Sequence, residues 1–266
     1  MCVEILMSTL NKRSIKDLFL KEKNINRNIV IINQTNRKGN YIDGKNNIRM
    51  LNYNEMGTSI SKNRAINNAN CNLCILADDD IFYVKNYDEI IENQFSKNLD
   101  ADVLTFQIKT PENKLYKNYI KKEMWHTKRT ITKVSMIEIA FRRNRILEKN
   151  IKFDLDFGIN CRYKNGEENI FLMDCIKEGL KIKYIPIPIV IHPDESSGKI
   201  IDEKGLFARG ALFFRLFRYK ALLVNLVFIL KKYKMINQKL SILNAIKAIY
   251  KGTFDYIKLI KMRKKI

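Results

Sequence analysis

Glycine and proline are scarce in this chain, 10 and 4 of 266 residues, which excludes collagen-like and low-complexity architectures. The 5 cysteines (Cys2, Cys71, Cys74, Cys161, Cys175) are an odd number without regular spacing, so they do not read as the framework of a disulfide-stapled secreted domain. Cys71 and Cys74 form a C-x-x-C, but no second pair follows and histidine is limited to 2 residues, so both read as core packing. The opening MCVEILMSTL lacks the basic and long apolar regions of a secretory signal, and the expectation is a reducing, cytoplasmic setting. Acid is nearly missing from the last quarter: positions 204–266 hold 16 Lys or Arg against Asp255 alone. Long apolar runs are missing there too. The longest uncharged stretch of that quarter, Ala221–Leu230, is too short to span a bilayer.

What is present is a folding composition, 46% hydrophobic and 10% aromatic, with a formal net charge of +21. Such a charge implies an anionic partner: nucleic acid, an acidic membrane surface or a phosphorylated substrate. Its concentration in the tail suggests a division at residue 203. The expected organisation is an α/β domain over 1–203, with a nucleotide-binding half at 1–100 and an acceptor half at 101–203. A basic amphipathic helical region over 204–266 follows.

Short, nearly continuous apolar runs at 3–7 (VEILM), 29–32 (IVII) and 73–77 (LCILA) suit strands buried on both faces, as in a parallel sheet. Helical spacing separates them, around Ile15, Leu18 and Phe19 and over 58–69. Asn86 and Glu89 have the spacing of a capping box opening a further helix. The β-α-β-α-β order predicts an α/β, Rossmann-like architecture. Strands follow at 102–107 and 134–141, then a helix after Gly166 that closes at Gly179. The stretch at 182–191 is extended, and its prolines confine it to an edge or irregular strand.

In open α/β sheets ligands bind beyond the carboxyl ends of the strands. Ser8-Thr9, Gln34 and Asp78-Asp79-Asp80 each follow a predicted strand directly, so segments distant in sequence converge on one crevice. Three consecutive carboxylates repel one another unless a cation sits among them, and Mg²⁺ or Mn²⁺ bridges one or two carboxylates to substrate phosphates. A solvated acidic turn is the alternative reading.

The set Gly57-Thr-Ser-Ile-Ser61-Lys62-Asn63, Ala65-Ile66 and Ile75-Leu76-Ala77-Asp78-Asp79-Asp80 resembles the core of family 2 glycosyltransferases with the GT-A fold. The opening VEILMSTLN resembles their first strand and nucleotide-contacting turn. GEENIF at 166–171 resembles the later acidic pair, and IHPDESSG the loop that closes on the diphosphate. The likeness spans roughly residues 3–198, in particular to bacterial transferases of surface-polysaccharide assembly. It implies an inverting, hexosyltransferase-type reaction. A nucleotide-sugar donor, with UDP favoured, would be held by Ser8, Thr9, Gln34, Lys62, Asn63, Asp78 and Asp79. A Mn²⁺ or Mg²⁺ would sit on Asp80, Asp78 and His192. Glu168, or its neighbour Glu167, would be the base; Trp125 and His126 would dock a saccharide or lipid-linked acceptor. The sequence departs from the pattern at Lys62 (usually Arg), at Asn33-Gln34 (usually an acid) and at Ala77, where a D-x-D-D motif begins.

The tail mixes Leu, Phe and Ile with Lys and Arg at helical spacing. That suits an anionic membrane surface, and hence a peripheral position on the inner face of the plasma membrane. A helical subdomain with a solvated basic face is the plainer alternative. A nucleic-acid-binding protein is the rival from another class, but helix-turn-helix or zinc spacing and aromatics interleaved with the cations are missing, so no specific nucleic acid is expected. A nucleotidyltransferase is the enzymatic rival; it would need a glycine-rich phosphate loop, and Ser8–Arg13 has no glycine.

Overall fold

The computed structural model describes residues 2–193 and 202–263. In chain order the elements are β1 (Val3–Leu10), β2 (Ile29–Gln34), β3 (Tyr41–Asp43), β4 (Ile48–Tyr53), α1 (Thr58–Asn68), β5 (Leu73–Ala77), β6 (Phe82–Tyr83), α2 (Tyr87–Lys97) and β7 (Val103–Lys109). There follow β8 (Met124–Trp125), β9 (Ile139–Arg142), α3 (Arg143–Glu148), α4 (Glu167–Lys177), β10 (Ile182–Ile191), α5 (Glu203–Phe217), α6 (Ala221–Asn237) and α7 (Ile242–Arg263). They form two compact units. The first runs to Phe153 and resumes at Phe171 through β10; the second joins Asp154–Ile170 to the C-terminal helices. The segment 154–170 thus goes with α5–α7, and the division does not fall at residue 203.

The first unit is one sheet in the order β3-β4-β2-β1-β5-β9-β7-β10-β6, with β8 also on β10. β4, β2, β1 and β5 are mutually parallel, as are β7 and β10, while β9 runs antiparallel between β5 and β7. The runs VEILM, IVII and LCILA are strands because both their faces are covered: every residue of β2 and of β5 is buried. On one face Val3, Ile5 and Met7 pack with Tyr87, Ile91 and Phe95 of α2. α1 packs on β1 and β2, with Ala65 and Ile66 buried.

Several expectations are corrected. The stretch at Ile15 forms only a 3₁₀ turn, Ile15–Leu18, and Phe19 is exposed. Asn86 stands before α2 in the left-handed region (φ 57°) and makes no side-chain cap, so the Asn86/Glu89 capping box does not form. The 134–141 run is split, because Ser135 and Glu138 close a capping box on a 3₁₀ turn and leave only Ile139–Arg142 as strand. β10 is irregular as its prolines require, with register shifts flanking Pro188, but it is paired on both sides. Cys71 is not simply core packing: its Sγ is bonded to that of Cys2, tying the start of β1 to the turn before β5. Gly179 does close α4, with φ 81° and the Leu180 N–H donating to the Cys175 carbonyl at 2.9 Å.

In the second unit Leu206, Ile229, Ile236, Ala245, Ala248 and Ile249 make a separate core. α5 and α7 approach so closely that a Cβ on Gly210 would lie 1.8 Å from the Ile249 carbonyl oxygen, and one on Gly252 1.8 Å from that of Phe207. The buried Thr253 hydroxyl donates across this contact to the Gly210 carbonyl at 3.0 Å and accepts from Asn225 of α6 at 2.9 Å.

Candidate functional site

Parallel pairing brings the carboxyl ends of β1, β2 and β5 side by side: Thr9 lies opposite Asn33, Leu10 opposite Gln34, and Met7 opposite Ala77. Asp78, Asp79 and Asp80 leave β5 at that edge, as expected. The three carboxylates are not equivalent. Asp79 accepts the Thr9 hydroxyl at 2.5 Å and meets the Lys12 ammonium at 3.3 Å, so its side chain clamps the end of β1 to the acidic run. Asp78 and Asp80 are exposed.

Asp80 faces the second predicted partner. His192 follows β10, with the Lys109 carbonyl accepting its backbone N–H at 2.9 Å, and its Nε2 stands 3.6 Å from Asp80 Oδ2. This contact holds the Asp80 carboxyl below the ordinary carboxylate range and the imidazole above its own. The His192 Nδ1 donates to the Pro193 carbonyl at 2.6 Å, so the neutral ring directs the Nε2 lone pair toward the carboxylate. Two acceptors facing each other call for a proton or a cation between them. Among the described residues no group of three His, Cys, Asp or Glu is arranged around one metal position.

A buried cation missed by sequence reasoning lies beneath the run. Lys23 is 7% exposed, and its Nζ donates to the Asp79 backbone carbonyl. Burial pulls its pKa down, while the charges of Asp79 and Asp80 push it back up. It sits in the irregular link between β1 and β2, where no periodicity marks it.

Two residues expected to hold the donor are engaged elsewhere. Both ends of the Gln34 amide are used on one backbone group: Nε2 donates to the Gly57 carbonyl at 2.6 Å, and Oε1 accepts the Gly57 N–H at 3.1 Å. Gln34 therefore locks the turn into α1, where Gly57 adopts φ 119°, and its amide is not presented to a base. Asn63 does the same at Phe153, donating to its carbonyl at 2.9 Å and accepting its N–H at 2.8 Å. Lys62, 4% exposed, holds its ammonium 5.7 Å from the centre of the Phe153 ring. Ser8, by contrast, carries a buried hydroxyl oxygen without a hydrogen-bond partner.

The acceptor pair is not brought to this edge. Trp125 and His126 lie beside the start of β10: Trp125 pairs with Lys183, and the His126 N–H donates to the Ile182 carbonyl. They are thus separated from His192 by the length of β7, about 20 Å for its seven residues. Trp125 is 47% exposed, with Lys183 over its ring. His126 hydrogen-bonds Thr105 at 2.8 Å and Thr130 at 3.0 Å and lines a cavity of about 140 Å³ with Tyr119, Glu138 and Tyr184. Burial lowers its pKa to about 4.

Glu167 and Glu168 belong to the second unit and form the first turn of α4, behind Gly166 at φ 97°. Glu167 is buried and Glu168 half-buried. Arg209 of α5, also unannounced by the sequence pattern, interacts electrostatically with Glu168, and burial lowers its pKa. Asp194–Gly198 of the IHPDESSG segment lie outside the described residues.

No family model matches the sequence, and no curated protein is similar to it at a significant level. Solved structures are similar in fold. S. aureus TarS 1-349 in complex with UDP-GlcNAc superposes with a TM-score of 0.63 at 14% identity, covering 97% of this chain and 81% of that one. Another structure of S. aureus TarS 1-349 gives 0.60 at 12% identity over 94% and 81%, and the complex with UDP gives 0.58 at 13% over 91% and 76%. The α/β architecture, a mostly parallel sheet flanked by helices, is a GT-A-like glycosyltransferase fold.

Proposed function

We propose that this chain is a glycosyltransferase that moves a sugar from a nucleoside-diphosphate sugar to a hydroxyl of a saccharide or lipid-linked saccharide, inverting at the anomeric carbon. One observation carries the reading. At the carboxyl edge of a GT-A-like sheet, the Thr9–Asp79 clamp leaves Asp78 and Asp80 exposed, and Asp80 faces His192 Nε2 at 3.6 Å. The fold is shared with a protein solved with UDP-GlcNAc and with UDP, which makes a UDP-sugar the favoured donor.

Ser8 and Thr9 line the donor side, where the unpartnered Ser8 hydroxyl suits a ribose or phosphate oxygen. Asp80 and His192, with Asp78 beside them, would hold Mn²⁺ or Mg²⁺, which take one or two protein ligands and complete their shells with substrate phosphates. Such an ion supplies charge compensation for the departing diphosphate. Lys23 and Lys12 add fixed positive charge beneath and beside the run. Transfer requires a base, because the acceptor oxygen loses its proton as it bonds to the anomeric carbon and the bond to diphosphate breaks. Glu168 is proposed for that role, with Glu167 as the alternative, and Arg209 as the neighbouring cation that sets its charge environment.

The deciding experiment incubates the protein with a panel of sugar nucleotides, with Mn²⁺, with Mg²⁺ and with chelator, and follows thermal shift and donor hydrolysis. Metal-dependent stabilisation by one donor is expected, lost in Asp80→Ala and retained in Glu168→Gln. Transfer to an acceptor should fall at least a hundredfold in Glu168→Gln. Donor binding indifferent to metal and to Asp80 would remove the metal from the scheme, and full transfer by Glu168→Gln would remove the base assignment.

A further inference from the structure

The tail offered many apolar residues for a membrane face, and the structure separates them. On α5, Leu206, Ala211, Phe214 and Leu216 are all buried. α6 turns Ala221, Asn225, Ile229 and Ile236 inward, with half-buried Phe228 against the same core. Its other side remains open: Leu223 is 67% exposed, Leu226 42%, Val227 41% and Leu230 65%. The spacing i, i+3, i+4, i+7 places these four on one helical face. Tyr219, 74% exposed, precedes the stripe, and Tyr233, 49% exposed, follows it.

The charges around the stripe are all of one sign. Arg218 and Lys220 stand before it, and Lys231, Lys232 and Lys234 after it, all of them exposed. α6 contains no acid. No described helix is long and apolar enough to cross a membrane, and α6, at 17 residues, is about 25 Å long. An apolar face with tyrosines at both ends and cations at both termini has the design of a helix lying in the plane of an interface. There leucines enter the acyl boundary, tyrosines sit at headgroup level and lysines reach lipid phosphates.

We propose that this face of α6 docks the protein on a bilayer carrying anionic lipid. Charge complementarity selects that occupant. A second copy of the chain would bring the same cations against these, and a zwitterionic surface would leave them without counter-charge. The proposal stands on α6 alone and is independent of the reaction assigned to the α/β unit.

The full-length chain is sedimented with vesicles of phosphatidylcholine alone or with one third phosphatidylglycerol. Pelleting with the anionic vesicles only is expected, weakening as salt is raised from 0.1 to 0.5 M. The triple change Lys231→Gln, Lys232→Gln, Lys234→Gln should reduce the partition coefficient on the order of a hundredfold, from about 1 kcal/mol per cation. Leu223→Ser, Leu226→Ser and Leu230→Ser together should reduce it at least tenfold with an unchanged melting temperature, since these side chains are already exposed. A Leu226→Trp variant should shift its emission to the blue with anionic vesicles alone. Equal binding to both vesicle types, binding that survives the leucine changes, or no vesicle binding at all would overturn the proposal. A doubled mass in light scattering that the leucine changes abolish, without vesicle binding, would assign the face to a second copy.

Discussion

Asp79 lies in the middle of the acidic run, and its removal separates a ligand-binding role from a structural one. In Asp79→Ala the Thr9 hydroxyl loses a charged acceptor at 2.5 Å, a contact of a kind worth about 1.5–3 kcal/mol. The Lys12 pair at 3.3 Å is about one third exposed at both ends and adds less than about 1 kcal/mol. The Lys23 contact goes to the Asp79 backbone carbonyl and survives the substitution. The expected loss is therefore about 2–3 kcal/mol. At about 2.1 cal/mol/K of unfolding entropy per residue, a chain of 266 residues loses roughly 2 °C for each kcal/mol, or about 4–6 °C in all. Urea titrations of wild type, Asp79→Ala, Thr9→Val and the double variant should give a coupling energy of at least about 1 kcal/mol. Nucleotide binding, followed by calorimetry with UDP below the melting range, should weaken only several-fold. A variant of unchanged stability whose affinity for UDP fell a hundredfold would refute the clamp and make Asp79 a direct ligand.

His126 should give the protein a pH-dependent stability. Its pKa falls from an ordinary 6.5 to about 4 on folding, so the unfolded chain binds the extra proton. The stabilisation is complete above pH 6.5 and is lost as pH drops toward 4. Between pH 7.5 and 5, wild type should lose about 1–2 kcal/mol more than His126→Gln, measured by urea midpoints at each pH; identical losses would show that the ring does not titrate in this way. Gly252→Ala should destabilise the α5–α7 contact by about 3 kcal/mol or more, because its Cβ would meet the Phe207 carbonyl oxygen at 1.8 Å. Denaturant unfolding measures it, and a loss under 1 kcal/mol would mean that the helices can slide apart.

The buried strands were legible because burial on both faces leaves a continuous apolar run, and the strand ends carried Thr9, Asp78 and Asp80 with them. β4 gave no such signal. It lies near the sheet margin, only its central Met50 and Leu51 are buried, and Arg49 and Asn52 interrupt the run. What each polar group does at the edge was not legible. The Gln34–Gly57 pair joins residues 23 apart and the Asn63–Phe153 pair residues 90 apart, and such pairings exist only once the sheet has assembled. Arg49 shows the same limit from inside the core. It closes on fully buried Glu4 at 2.6 Å, and Glu4 also accepts the Cys71 N–H beside the disulfide. In sequence both look like stray charges in strands.

β10 carries a consequence for behaviour at high concentration. Its outer side pairs with β8 at Lys183–Tyr184 and with β6 at Val190–Ile191, the Ile189 carbonyl also accepting the Val84 N–H at 3.0 Å, and with neither strand over Ile185–Pro188. A stretch with such a gap in its pairing would ordinarily recruit a strand from another molecule if it were open; here Ile185 and Ile189 are fully buried and Pro186, Ile187 and Pro188 half-buried, so the rest of the chain covers it. Pro186 and Pro188 have no N–H to donate, which lowers the pairing capacity of this stretch. The prolines thus act against intermolecular β-pairing in any state, such as a partly unfolded one, in which that cover is lost.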